Sequence, residues 1–466
     1  MVDQDIRTER WLARPARVAA FLALATGVLL SGNAVAAVSA QEEATPQEDA
    51  SAPIELGAGA TLDDYLRAAA LRNPGLQVAY YEWQAAVERV PQVRSLPDPH
   101  LSYGYFIESV ETFAGPQRNR LGASQRFPWP GKLGLAAEGA THEADAARHR
   151  YEGRKLDLTF RVVDAYAEYY FLGRSIEVTR ENVELLTYWE DLTRARYRVG
   201  EATYPDVINA QVALGKLDDR LRSLGERRAP TMARLDALLD RREPAPLPWP
   251  PSLPFEEVAP RDERLREVLE AQNPELLAET AHVTAAERDV ALAKKSYFPD
   301  VTLGIEWIDT DERAGPDRSR TGDDAVIGTL SMNLPIWWPK YGAEVREAEA
   351  RRTAAHRARR GRVLDLAARL QRVLYQRRDA ERKIELYGGA LIPKGREALD
   401  ANFSAYEADR ADFGDLLDAQ RLLLEFQLVY ERALADHAVR LAEVEMLVGE
   451  ALPRVDGAAA SPEDPS

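Results

Sequence analysis

The chain has 466 residues, a net charge of −16 and no cysteine. The missing thiols exclude disulfides, thiolate metal sites, a cysteine nucleophile and an acylated N-terminal cysteine anchor, and the acidity argues against a nucleic-acid partner. Beyond the N-terminus, no stretch approaches the roughly 18 to 20 apolar residues a membrane helix needs.

Residues 1–40 read as a secretory signal peptide. Arg7, Arg10, Arg14 and Arg17 precede the apolar run Val18 to Leu30, and small residues lead to a cleavage site near Ala36 or Ala40. Residues 41–60 read as a flexible polar segment. The first structural repeat is expected over 61–242. It starts with a capping-box pattern at Thr61 and Asp64, and the helix runs on to about Arg94 until Pro97 and Pro99 stop it. A hairpin follows over 99–127, in which Leu101, Tyr103, Tyr105 and Ile107 alternate with His100, Ser102, Gly104 and Phe106, and a polar loop spans Ser109 to Asn119. From Lys132 to Val199 the chain has no proline and repeats apolar residues at helical spacing. At about 1.5 Å per residue this rod is on the order of 100 Å long. Gly200 ends it, and Pro205 with Asp206 opens a returning helix reaching about Arg242.

A Pro-rich linker, 243–260, carries seven prolines. The second repeat, 261–450, follows the same plan. A helix runs from about Arg261 to Lys295, a hairpin occupies 300–335 around a polar loop from Thr310 to Asp324, a long helix covers Tyr341 to Ala408, and a return runs from Phe413 to Gly449. Residues 451–466 read as a disordered acidic tail. The echo is local as well as architectural. Tyr197, Gly200, Asp206 and Gln211 return about 209 positions later as Tyr406, Asp409, Asp415 and Gln420, and Asn73-Pro74 returns as Asn273-Pro274.

The four strands alternate at about nine residues each, the length of a tilted strand crossing a bilayer. Alternation alone equally fits the half-buried face of a soluble sheet. Two hairpins separated by long helices cannot close a barrel alone, so membrane entry would require several copies to pool strands. Trp129, Trp337 and Trp338 fit a membrane-interface belt or plain turn packing. His142 and His149 lie seven apart on one helix and read as a solvated or packed pair, not a metal site. No phosphate loop, zinc motif or nucleophile elbow occurs, so neither an enzyme nor a cofactor is expected.

The duplication, the signal peptide, the hairpins ahead of very long helices and the Tyr-x-x-Gly-(x)5-Asp-(x)3-Ala pattern together resemble the TolC-like outer-membrane efflux channels, over about Thr61 to Gly449. The resemblance implies a mostly α fold with a small membrane β part, four strands per subunit joining a homotrimer's twelve-stranded barrel above a helical tunnel. It implies a place in the outer membrane of a Gram-negative bacterium, contact with its lipid, a periplasmic adaptor protein and an inner-membrane pump, the resistance-nodulation-division type being favoured. It further implies an acidic periplasmic aperture from Asp415, Asp418 and Asp206, a latch at Tyr406, and tip turns at Gly200 and Asp409 that meet the adaptor. Those aspartates equally favour the N-terminal ends of returning helices. The family's latch arginine falls on Ala411, with Arg410 one position off, and Asp409 stands where the first tip has glycine. The competing reading is a soluble periplasmic coiled-coil scaffold or adaptor.

Overall fold

The computed structural model describes residues 56–57, 59–241, 246–253, 262–313 and 321–453. The signal peptide, most of the N-terminal segment, both ends of the Pro-rich linker and most of the acidic tail lie outside the described residues, as does part of the 310–324 loop; the middle of the linker is described, with Leu247 and Leu253 buried and Trp249 stacked on Tyr169. The chain forms two compact units, one built from residues 93–135 and 292–344 and the other from the helices between and around them.

The first unit is a four-stranded antiparallel sheet in the order β1 (His100–Thr112), β2 (Gly115–Phe127), β3 (Val301–Thr310) and β4 (Ala325–Met332). The two expected hairpins are thus one sheet, joined through β2 and β3. The first loop is shorter than the sequence reading had it. Strand pairing runs through a register shift between Tyr105 and Val110 up to the Thr112 to Gly115 pair. Gly115 makes this tight turn possible: its φ is 131°, and a Cβ there would lie 1.8 Å from the Asp311 carbonyl.

Register sorts the side chains by face. Tyr103, Leu121, Trp307 and Val326 form one cross-strand row, and Leu303 with Leu330 belongs to the same face. The opposite face carries Ser102, Gly122, Ser124, Gly304, Thr329, Thr302 and Ser331, with Arg120 paired to Glu306 across the strands. A Cβ on Gly304 would meet the Thr329 hydroxyl at 2.4 Å, so this face tolerates only small residues at that point. The apolar face is exposed, Tyr103 by 68% and Leu330 by 67%.

The second unit contains α1 (Leu62–Arg72), α2 (Pro74–Arg94), α3 (Lys132–Val199), α4 (Tyr204–Glu226), α5 (Arg228–Leu238), α6 (Asp262–Gln272), α7 (Pro274–Lys295), α8 (Trp338–Leu386), α9 (Ile392–Glu407) and α10 (Phe413–Val448), several of which begin or end in the first unit. Thr61 and Asp64 form the anticipated capping box. Each helix read as continuous up to about Arg94 and Lys295 is instead interrupted at an asparagine. The Asn73 carboxamide accepts from Leu76 N and donates to the Leu238 carbonyl; Asn273 does the same with Leu276 N and the Leu447 carbonyl. The second long helix is also broken: Pro393 lies within it, and a π-helical turn, Tyr387–Leu391, separates α8 from α9.

Neighbouring helices follow the order α2, α3, α7, α8. Trp83 stacks on Tyr151 between the first two, Arg288 pairs with Glu138 between the next, and Arg359 donates to Thr280 between the last. α2 and α8 stand at the two ends of this run. Buried polar pairs fix the register of α10 on α3. Gln420 donates to Asn182 at 2.6 Å, and the Tyr170 hydroxyl and Arg174 both donate to the buried Glu431 carboxylate.

Candidate functional site

The two helical tips lie within the helical unit and are built alike. In the first, Gly200 has φ 85°, its N–H donates to the Tyr197 carbonyl, and Glu201 N–H reaches back to the Arg196 carbonyl at 2.9 Å. In the second, Asp409 has φ 58°, its N–H donates to the Tyr406 carbonyl, and Arg410 N–H reaches the Ala405 carbonyl at 2.8 Å. This is a left-handed helix stop made once with glycine and once with aspartate, whose short polar side chain tolerates that geometry.

The returning helices start differently. Thr203 and Asp206 form a reciprocal capping box, with the Thr203 hydroxyl donating to Asp206 at 2.6 Å. The Asp206 carboxylate is therefore committed to its own helix start. In the second tip Asp412 caps by accepting from Asp415 N at 2.9 Å. The Asp412 carboxylate has no proton to donate to Asp415, whose side chain is exposed at the helix's positive end. Asp418, one turn on, is also exposed and accepts from Arg421 at 3.1 Å. Asp415 and Asp418 thus share one face of α10, while the Asp206 carboxylate is engaged by Thr203.

Tyr406 is buried. Its ring packs on Phe413 at 5.6 Å and its hydroxyl lies 3.3 Å from Thr193 Oγ1. Over it sits a residue whose role the sequence reading missed. Arg196 donates to the Tyr406 carbonyl at 2.7 Å and to Asp409 Oδ1 at 2.6 Å, and its guanidinium stacks 4.8 Å from the Tyr406 ring centre. One arginine of the first tip therefore clamps the second. The available signal was asymmetry: position 196 is arginine in the first copy and its counterpart, Ala405, is not.

In the sheet unit, Trp129 stacks on Phe298 at 5.1 Å, whereas Trp337 and Trp338 are both about 70% exposed. No helix among the described residues is long and apolar enough to cross a membrane, and no described group of three or more His, Asp or Glu is placed to hold a metal ion.

The outer membrane efflux protein family matches residues 65–240 and 265–450. The chain belongs to this family. It is similar to the outer membrane protein TolC of Vibrio cholerae, 23% identical over 409 residues, covering 81% of this chain and 88% of the relative. It is also similar to the cobalt-zinc-cadmium resistance protein CzcC of Cupriavidus metallidurans, 20% identical over 400 residues, covering 85% and 92%. Among solved structures, the outer membrane protein VceC of Vibrio cholerae shares the fold with a TM-score of 0.68 at 20% identity, covering 84% of this chain and 96% of that one. CusC does so with a TM-score of 0.73 at 14% identity, covering 84% and 92%. The mostly helical architecture with a small antiparallel sheet is the fold shared with these solved structures.

Proposed function

We propose that this efflux protein is a passive exit duct. Three copies pool their sheets into one barrel in the outer membrane of a Gram-negative bacterium, and an inner-membrane pump of the resistance-nodulation-division type delivers cargo through a periplasmic adaptor. The observation that carries this reading is the sheet itself, which exposes a mostly apolar face and ends in two unpaired edges, β1 and β4. Lipid satisfies the face, and only neighbouring copies satisfy the edges. Exposed Trp337 and Trp338 then sit at the lipid-water interface. At the tips, Asp415 and Asp418 from three copies focus carboxylates on one aperture that favours cations over anions. Gly200 and Asp409 form the turns the adaptor meets, and relaxation of the tips opens the duct.

Fractionation tests the duct against a soluble scaffold. The duct stays with the outer membrane after high-salt and carbonate washing and runs as a detergent-stable trimer; a scaffold washes off. The aperture has its own test in planar bilayers. Asp415→Asn combined with Asp418→Asn is expected to reduce cation selectivity and block by multivalent cations, and unchanged conductance and block would remove the assignment.

A further inference from the structure

A cleft of about 670 Å³ opens in the helical unit between α4 and α10, a size that holds a small organic ligand. Its floor is apolar and buried, made by Leu186 of α3, Leu217 of α4 and Leu424 and Leu428 of α10. Its rim is charged, with Lys216 and Arg220 on α4 facing Arg421, Glu425, Arg432 and Asp436 on α10, and Lys383 of α8 nearby. Several of these charges are already matched. Arg421 pairs with Asp418 at 3.1 Å, Arg432 with Glu168 at 2.6 Å and with Asp436 at 2.9 Å, and Lys383 with Asp379 at 2.8 Å. The exposed side chains of Lys216, Arg220 and Glu425 have no ion-pair or hydrogen-bond partner among the described residues. The duplication shows that this is an asymmetry of the two copies. Lys216 and Arg220 of α4 correspond, 209 positions on, to Glu425 and Val429 of α10, and all four line the cleft. One wall is therefore basic where its counterpart is acidic or apolar.

We propose that this cleft binds amphipathic organic anions, molecules with one carboxylate or sulfonate on an apolar body, on the inner wall of the duct. Lys216 and Arg220 are four residues apart, so they stand one turn from each other on one face of α4 and can share a single anionic group. The apolar body lies along the leucine floor. Sign selectivity follows from the imbalance of the unmatched groups: two cations attract the anion and one carboxylate, Glu425, opposes it. Arg421 fixes the place on the duct, because it lines the cleft and also holds Asp418. The cleft thus begins one side chain from the aperture carboxylates and continues along α10 to Asp436, about 20 Å further. An anion disfavoured at the acidic aperture regains its counter-charge directly past it. The placement rests on reading Asp415 and Asp418 as the aperture; the binding does not.

The chain has no cysteine, so Val429→Cys places a single thiol in the cleft, and a bound molecule slows its reaction with a neutral maleimide. The full-length assembly is held in nanodiscs of phosphatidylcholine, where the added probe is the only amphipathic anion. The probes are 1-anilinonaphthalene-8-sulfonate and N-phenyl-1-naphthylamine, the same rings with and without the sulfonate. The sulfonate is expected to protect the thiol at a concentration about tenfold below that of the amine, the scale of two exposed charge pairs. Lys216→Ala with Arg220→Ala should remove that advantage and leave protection by the amine unchanged, while Glu425→Gln should strengthen protection by the sulfonate about threefold. High salt should shrink both effects. Equal protection by the two probes, or an advantage that survives the double substitution, overturns the site. In planar bilayers the sulfonate should lower the conductance of the wild type and not of the double variant. Selective protection without any effect on conductance overturns the placement on the duct wall and leaves the binding. Failure of the duct reading itself shows separately, as loss of the protein from washed outer membranes.

Discussion

Asp300, one residue before β3, shows how much a single carboxylate can organise. It is nearly buried and accepts from Lys132 Nζ at 2.7 Å, from Trp129 N at 3.0 Å and from the Arg126 guanidinium. Burial alone would raise its pKa, but the hydrogen bonds from Lys132, Arg126 and the Trp129 backbone outweigh it and hold the group down at about 2. A depressed carboxylate contributes its full stability above the unfolded value near 3.9 and loses it as pH falls toward 2. Asp300→Asn is therefore expected to cost about 2 kcal/mol at neutral pH. It should also flatten the fall in stability between about pH 4 and pH 2, as followed by denaturation midpoints of the purified protein across that window. An unchanged acid profile in the variant would deny the clasp its role. Nothing in the sequence announced it: Asp300 reads as a strand-start residue, and its partners Arg126 and Lys132 lie some 170 positions away. By contrast, the conformation of Asp409 was legible because left-handed geometry is a property of the residue itself, whereas Arg196 acts through residues about 210 positions on.

At the scale of elements, helix type and order were readable and the breaks within helices were not. The reason is physical. An asparagine whose carboxamide caps the next helix, followed by proline at its first position, interrupts a helix at one residue without altering the surrounding apolar period. Asn73-Pro74 and Asn273-Pro274 thus stood out as a repeat while their effect on the backbone stayed hidden. The two caps are chemically identical but differently buried, Asn273 being 3% exposed and Asn73 half-buried. Asn273→Ala is expected to cost about 2 kcal/mol and Asn73→Ala about 1 kcal/mol, since the deeper site strands the Leu447 carbonyl away from water. Asn273→Asp keeps the acceptor for Leu276 N but loses the donor, so its midpoint should fall between wild type and Asn273→Ala. Equal losses at the two asparagines would show that the deeper burial of the Asn273 contact carries no weight.

At the scale of the molecule, the sequence pattern made the strands visible but left open what covers them, since alternation is the same whether lipid or protein lies on the apolar side. Register resolves the faces into pairs of adjacent residues with opposite surroundings. Leu330 points with Leu303 to the apolar face, and its neighbour Ser331 points with Thr302 to the face of small and polar residues. Both are exposed in one chain. Were the sheet in water, arginine at either position would be tolerated about equally. If the apolar face is in lipid and the other faces a water-filled lumen, the two substitutions diverge. Leu330→Arg should then cost about 2 kcal/mol by placing a charge against hydrocarbon, while Ser331→Arg stays near neutral and changes only conductance. Quantitative blotting of washed outer membranes, with the detergent-stable trimer as second readout, measures the difference. Depletion from washed outer membranes by Leu330→Arg alone fits a lipid-covered face, and equal tolerance of both means that water covers it.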